Sequence, residues 1–489
     1  MAEPERESGF IAERREKLER LRSEGIEPFP HEFSDREDIG EVRTAHEGLA
    51  PGIDTTSHHR IAGRLIARRG HGGAAFLDLR DGSGQIQLHA REDLLGEEAF
   101  SLLLHLDLGD IVGVEGNAFS TRRGELSLTV TRWRLLAKSL RPPPDKFHGL
   151  EDVETRYRRR ELDLMANEET RQLFRIRAET VSEVRRWLDD HDFVEVETPV
   201  LQPLYGGALA RPFVTHHNAL GRDFYLRIAT ELYLKRCVVG GIDRVYELGR
   251  DFRNEGISPK HNPEFTMLEW YEAYADYEKT ARDLELLVVE VAERVLGKTK
   301  IERHGVTIDL APPWRRITLR EAIRERTEID IAEHPTREAL AVAMDSEPDP
   351  AEGWGKLVDG LLSKRVEPEL VQPTFVLDYP VELSPFAKAH RSEPGLVERW
   401  EAFVGGMEIA NSFSELNDPD EQRRRFEQQA EEMRRGDEEA QPFDEAFVEA
   451  LEQGMPPTGG VGLGIDRLVM ALTGASSLRE TILFPAMRD

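Results

Sequence analysis

Arg253, Glu255 and His261 lie in a loop between two alternating runs, and they are the first residues in this chain whose types and spacing could do chemistry. The surrounding stretch, RVYELGRDFRNEGISPKHNPEFTMLEWYEAYADY, reads as strand, loop, strand. Successive side chains on a strand point to opposite faces, so Phe265, Met267, Glu269 and Tyr271 share one face and Thr266, Leu268 and Trp270 the other. The first set, an aromatic ring, a thioether, a carboxylate and a phenol, is an odd core and a good binding wall. At its lip, the planar fork of an arginine can hold a carboxylate and a phosphate together.

A second candidate is ERWEAFVGGMEIANSFSELND, where Gly405 and Gly406 favour a two-residue hairpin turn. Glu408 then opposes Phe403 and stands diagonal to Glu401 on one face. Two close carboxylates with no Lys or Arg between them invite a divalent cation. Mg²⁺ suits them because it takes few protein carboxylates and keeps water and phosphate oxygens as its other ligands. Asn411, Phe413 and Glu415 have the other parity, so lining one pocket with all five requires a bulge near Ala410, which strict alternation does not predict. In the third stretch, GGVGLGIDRLVMALTG, glycines allow close backbone approach to a ligand, and Arg467 at the start of a helix can meet phosphate.

FRNEG followed by HNPEFTMLEWY is similar to motif 2 of the class II aminoacyl-tRNA synthetases, in the form found in the bacterial lysyl-tRNA synthetase family. GLGIDR resembles motif 3, and DFVEVETPVL resembles motif 1, which in that family builds a dimer interface. The resemblance runs from about Arg60 to Asp489. It implies ligation of L-lysine to tRNA(Lys) in two steps, formation of lysyl-adenylate from lysine and ATP and then transfer to the tRNA 3′ end, by a homodimer. Arg253 would bridge the reacting anions and Arg467 would take the γ-phosphate end. Phe265 would stack on adenine with Glu255 and His261 helping, and Glu401 and Glu408 would hold Mg²⁺. Gly207 and Glu231 would hold the α-amino group of lysine. Glu269 and Glu415, with Tyr271, Asn411 and Phe413 nearby, would face the end of its side chain. Two facing anions are costly unless a cation arrives, so an ammonium is the natural guest. Thr230 stands where the family usually has proline, and Leu209 also departs from it.

Positioning these groups takes a multidomain α+β chain. Residues 1–55 read as a charged helix and linker, the helix solvated and only weakly packed. Residues 56–140 hold five short alternating runs with a helical insert at about 91–106, which suits an OB-fold barrel. On its open face Phe76 can stack on a base, Gln87 can bond a base edge, and Arg68 can touch phosphate or base. The resemblance implies that these three, with Glu125, read an anticodon. Residues 141–164, with three prolines and the basic run Arg156–Arg160, read as a linker. Residues 165–489 form the catalytic domain, an antiparallel sheet flanked by helices. Within it, about 278–370 reads as a helical insertion, and the acidic stretch Pro348–Glu352 as surface loop.

Composition excludes several classes. The 489 residues contain one cysteine, Cys237, so an intrachain disulfide is excluded and a zinc site is unfavoured. Mean hydropathy is −0.51, and no apolar run approaches the ~18 residues that a membrane span needs. MAEPERESGF has no apolar signal-peptide core, and a cytoplasmic enzyme is expected. Net charge is −28, yet residues 60–160 hold 17 Lys and Arg against 14 Asp and Glu, so this N-terminal stretch holds locally basic ground. Three rivals are weighed. An aspartyl- or asparaginyl-tRNA synthetase would need Glu269 and Glu415 turned away from the ligand. A paralogue that modifies a protein with lysine would lack the barrel. A non-catalytic RNA-binding descendant would have lost Arg253, Arg467 or the Glu401/Glu408 pair, and all are present.

Overall fold

A computed structural model describes residues 3–144, 150, 152–303, 305–346, 353–434 and 441–488. The chain divides into two compact units, Met1–Glu151 and Asp152–Asp489.

In the first unit, α1 (Glu3–Ser23) is fastened more tightly than its charged sequence suggests. Leu18 and Leu21 are buried. Arg14 donates to the carbonyls of Leu108, Ser139 and Arg141 at 3.0–3.1 Å, and Lys17 pairs with Asp107 at 2.7 Å. The expectation of weak packing is corrected by this network. Strands β1 (Asp54–His71), β2 (Ala74–Arg80), β3 (Gln85–Arg91), β4 (Ile111–Ser120) and β5 (Leu126–Ala137) close into a barrel in the order β1-β2-β3-β5-β4. The helical insert appears as α2 (Glu97–His105) between β3 and β4, and it buries Phe100 and Leu103 against the barrel core.

The second unit is built on an eight-stranded sheet. Its strands are β6 (Val194–Glu195), β7 (Arg244–Phe252), β8 (Glu264–Ala273), β9 (Arg315–Thr318), β10 (Thr374–Pro380), β11 (Leu396–Phe403), β12 (Glu408–Ser414) and β13 (Thr458–Gly464). They lie in the order β9-β10-β11-β12-β13-β8-β7-β6, with only the two outer pairs parallel. One face carries Leu268, Trp270, Trp400, Val461 and Leu463, all buried under α3 (Glu168–Asp190), α5 (Tyr277–Leu296) and α6 (Ile465–Thr473). Removing either indole here costs about 3–5 kcal/mol. Period-two alternation then sends Met267, Glu269 and Tyr271 to the opposite face, where α4 (Glu231–Val239) supplies part of the wall.

Two expectations change. The stretch 278–370 is not simply a helical insertion. The apolar stripe of α5 belongs to the central core, and Ile317 and its neighbours form the β9 edge of the main sheet. The 141–164 linker is shorter than expected, because helices occupy Val153–Arg158 and Arg160–Ala166. Arg160 is buried, pairs with Asp163 at 2.6 Å and donates to the carbonyls of Arg479, Ile482 and Leu483. Arg160 thereby clasps the C-terminal segment, while Arg158 and Arg159 stay exposed in pairs with Glu154 and Glu161. Residues 145–149 and 151 of the linker, and the Pro348–Glu352 loop, lie outside the described residues.

Candidate active site

The uncovered face of the sheet holds a cavity of about 360 Å³. β7 and β8 form an antiparallel hairpin in which Glu247 opposes Glu269 and Gly249 opposes Met267. Its loop is closed by Arg253 N–H donating to Pro263 O at 2.9 Å and by Ser258 N–H donating to His261 O at 3.0 Å. Phe265, Met267, Glu269 and Tyr271 line the cavity, as the alternation predicts, together with the loop residues Arg253, Glu255 and His261. Asp466 at the start of α6 accepts from the Thr266 backbone N–H at 2.7 Å and pairs with Arg177 of α3 at 2.6 Å. The β7–β8 hairpin and the start of α6 are therefore both tied to α3. Neither Asp466 nor Arg177 was singled out from sequence.

The second hairpin turns at Gly405-Gly406, both with positive φ (64° and 71°), and Val404 N–H donates to Met407 O at 2.9 Å. Beyond it Phe403 opposes Glu408, but Ala402 opposes Ala410, so Ile409 is an extra residue. This bulge beside Ala410 brings Glu401, Glu408, Asn411 and Phe413 to one cavity. The expectation that no arginine stands by the carboxylates is overturned. Arg399 pairs with Glu401 at 2.6 Å, and Arg467 pairs with Glu408 at 2.7 Å. Arg399 and Glu401 are two apart on one strand, so the same alternation that gathers the acids gathers this cation. Arg399 also donates to Asn411 Oδ1 at 2.9 Å. Burial pushes the Glu401 carboxyl up to about 7, with Arg399 opposing the rise and Glu408 adding to it. An anion still short of positive charge, with a second carboxylate on the same wall, fits a divalent cation. Among the described residues no three His, Cys, Asp or Glu side chains form a metal cage, so such an ion would rely on two carboxylates and on ligand oxygens.

A third group lies deeper. Gly207, at φ 90°, sits so close to Glu231 that a Cβ would come within 3.0 Å of the Glu231 Cβ. Its N–H donates to Gln441 Oε1 at 3.0 Å. Glu269 accepts from the Thr230 N–H at 3.3 Å, a donor that proline at this position could not supply. Tyr271 O–H donates to Glu269 at 3.4 Å. Glu415 is fully buried behind Tyr271 and Gly460 and is not part of the cavity surface. A side chain at Gly460 would run into Glu415 Oε1 and the Tyr271 ring. The expected pair of bare facing carboxylates is also corrected, because Lys235, one turn along α4 from Glu231, reaches between Glu231 and Glu415. Burial first, then the Asp251 and Glu231 charges, raise Glu269 to about 8. Burial likewise raises Glu415 to about 8 against the opposing pull of Lys235.

On the barrel, Phe76 stacks against His89 at 4.7 Å, with Phe119 5.7 Å from the same imidazole. Gln87 accepts from Ser127 O–H at 3.1 Å, and Glu125 is exposed just before β5. Arg68 stands apart from this row. Its guanidinium donates to the carbonyls of Leu104 and Leu106 at the end of α2, and Arg69 is the residue register-paired with Phe76. Helix-end carbonyls compete well for an arginine. His89 carried no signal beyond its place in an alternating run.

Residues 152–488 match the family model described as tRNA synthetases class II (D, K and N), and residues 59–136 match an OB-fold nucleic acid binding domain. Curated proteins named lysine–tRNA ligase are similar over nearly the whole length. One from Synechococcus sp. (strain CC9311) is 52% identical, covering 97% of this chain and 98% of its own. One from Moorella thermoacetica is 51% identical, covering 99% of both.

Proposed function

We infer from membership of the class II tRNA synthetases (D, K and N), the family to which this chain belongs, that it is a lysine–tRNA ligase. The observation that carries the amino-acid specificity is a charge count. Glu231 and Glu415 share one buried cation, Lys235, and Glu269 is buried on the cavity wall, so three carboxyls stand against one resident cation and ammonium groups of a ligand can replace their protons. Lysine brings two ammonium groups on one molecule. Aspartate or asparagine would bring only one and would set a carboxylate or an amide against the remaining acids. Stranding a buried charge costs on the order of several kcal/mol.

In the first step a lysine carboxylate oxygen attacks the α-phosphorus of ATP, and the bond to the leaving pyrophosphate breaks. In the second a hydroxyl of the terminal tRNA ribose attacks the lysyl carbonyl, and AMP leaves. Chemistry of this kind needs positioning and neutralisation of charge. Arg253 spans the carboxylate and the α-phosphate, and Arg467 meets the γ-phosphate end. Phe265 stacks on adenine beside Glu255 and His261. Gly207 and Glu231 receive the α-ammonium, while Glu269 and Tyr271, with Asn411 and Phe413 alongside, receive the side chain, and Glu415 lies behind that wall as a buried counter-charge. Glu401 and Glu408 would hold Mg²⁺, which supplies neutralisation of phosphate charge.

The barrel face of Phe76, Gln87 and Glu125, with Arg68 close by, is assigned to the tRNA(Lys) anticodon. A homodimer is supported by β6, an open sheet edge beside exposed Val194, Leu201 and Tyr274. Among the described residues no helix is long and apolar enough to cross a membrane, and a cytoplasmic location accords with a role in translation. ATP–pyrophosphate exchange with each of the twenty amino acids tests the reading. Exchange with lysine alone is expected, and exchange with aspartate or asparagine instead would discard it.

A further inference from the structure

Arg399 stands in the cavity wall with a side chain 14% exposed, and its neighbours already engage every nitrogen of its guanidinium. Nη2 donates to Glu401 Oε1 at 2.6 Å and Nε to Asn411 Oδ1 at 2.9 Å. Nη1 donates to Leu383 O and to Ser384 Oγ, each at 2.7 Å. One planar group thus ties together β11, which carries Glu401, β12, which carries Asn411, and the loop between β10 and β11. The guanidinium carbon lies 4.6 Å from the centre of the Tyr379 ring, and the Tyr379 O–H donates to Glu401 Oε2 at 2.9 Å. Glu401 is therefore gripped at both oxygens, and each oxygen keeps a lone pair for an incoming cation.

We propose that Arg399 is a positioning residue that couples the metal–phosphate end of the cavity to the lysine end, so that lysine and the metal-bound nucleotide tighten each other's binding. The proposal rests on the lysine reading above, in which Glu401 serves the metal and Asn411 stands alongside the lysine side chain. A guanidinium is a rigid fork, so it cannot follow one partner without moving against the others. A cation that takes up part of the Glu401 charge leaves Arg399 pulling harder on Asn411 and Ser384. Holding the fork still has an ordering cost, and the ligand that binds first meets it for both. Linkage makes the gain reciprocal.

Titration calorimetry tests this by measuring the lysine Kd alone and with saturating Mg²⁺ and α,β-methylene-ATP, an analogue that cannot release pyrophosphate. The ratio of the two Kd values is the coupling, and it is compared in wild type, Arg399→Lys and Arg399→Met. The melting temperature reports whether each variant is folded. Wild type should bind lysine at least about tenfold more tightly in the ternary complex, and both variants should bring the ratio to within about twofold of one. Arg399→Lys keeps the charge, but an ammonium cannot reach Glu401, Asn411 and Ser384 together. A role confined to net charge would leave the coupling intact in Arg399→Lys. Either folded variant keeping the wild-type ratio overturns the proposal, and so does a wild-type ratio near one.

If neither variant folds, Asn411→Ala decides, because it cuts the lysine arm of the bridge and leaves Arg399 with Glu401 and Ser384. Its ratio should also fall to within about twofold of one, whatever its lysine Kd alone. A wild-type ratio in that variant would overturn the proposal. Absence of any lysine binding or lysine-dependent exchange in wild type is a different failure, and it would strike the functional reading itself.

Discussion

The Arg253 guanidinium lies 5.1 Å from the centre of the Phe265 ring, so the hairpin that carries both presents a cation and an aromatic face to the same space. Neither group is used up by the contact. A cation–π pair of this kind contributes about 0.5–2 kcal/mol and keeps Arg253 aimed into the cavity.

Arg253→Ala should therefore remove adenylate formation while sparing the fold. The expected fall in lysine-dependent ATP–pyrophosphate exchange is about 10²–10³-fold, the cost of losing a donor aimed at developing charge. Unchanged circular dichroism with lost exchange supports the assignment, and wild-type exchange in this variant refutes it.

Glu401→Gln and Glu408→Gln should each raise the Mg²⁺ concentration needed for half-maximal exchange by about tenfold or more. Each substitution also frees an arginine, Arg399 or Arg467, so excess Mg²⁺ should rescue the rate only in part. A Mg²⁺ dependence identical to wild type in both variants would remove the pair from the metal site.

Lysine affinity should rise with pH between 6 and 8. Burial raises Glu269, on the cavity wall, to about 8, and Glu415 behind it likewise, and an ammonium binds the ionised form. Below that pH the carboxylates hold protons that lysine must displace, at up to about tenfold in affinity per proton and pH unit. Lysine KM should fall across this window, and calorimetry in buffers of different ionisation enthalpy should report proton release. A flat KM with no proton release would mean that the acids are already ionised in the empty site.

Phe76→Ala should spare lysine activation and weaken tRNA charging through a higher tRNA KM. Loss of one base stack costs about 1–3 kcal/mol. Equal losses in exchange and charging would contradict a barrel that serves only tRNA.

Much of the fold and of the cavity was legible because sheet periodicity is short-range. The sharing of one face by Phe265, Met267, Glu269 and Tyr271 follows from alternation alone, and the turn at Gly405-Gly406 from two residues that tolerate positive φ. The bulge at Ile409 was required by the pocket but not visible in the pattern, since alternation carries no mark of where a residue is extruded. Lys235 went unread for a different reason. A Lys four residues after a Glu on a helix usually makes a solvated surface pair, and only packing by Phe386 and Phe413, far away in sequence, turns it inward. The role of Arg160 was not legible either, because the carbonyls that take it lie more than 300 residues on. Arg68 stood in the right place by family resemblance, yet its guanidinium is engaged by the end of α2.

The most direct test of the buried-carboxylate pocket is exchange with lysine and with norleucine, which replaces the terminal ammonium by a methyl group, in wild type and in Glu269→Gln. The expected result is a wild-type preference for lysine of about 10⁴-fold in kcat/KM, falling by at least about 100-fold in the variant. Norleucine used nearly as well as lysine by the wild type, or a preference untouched in Glu269→Gln, would contradict recognition of lysine by these buried acids.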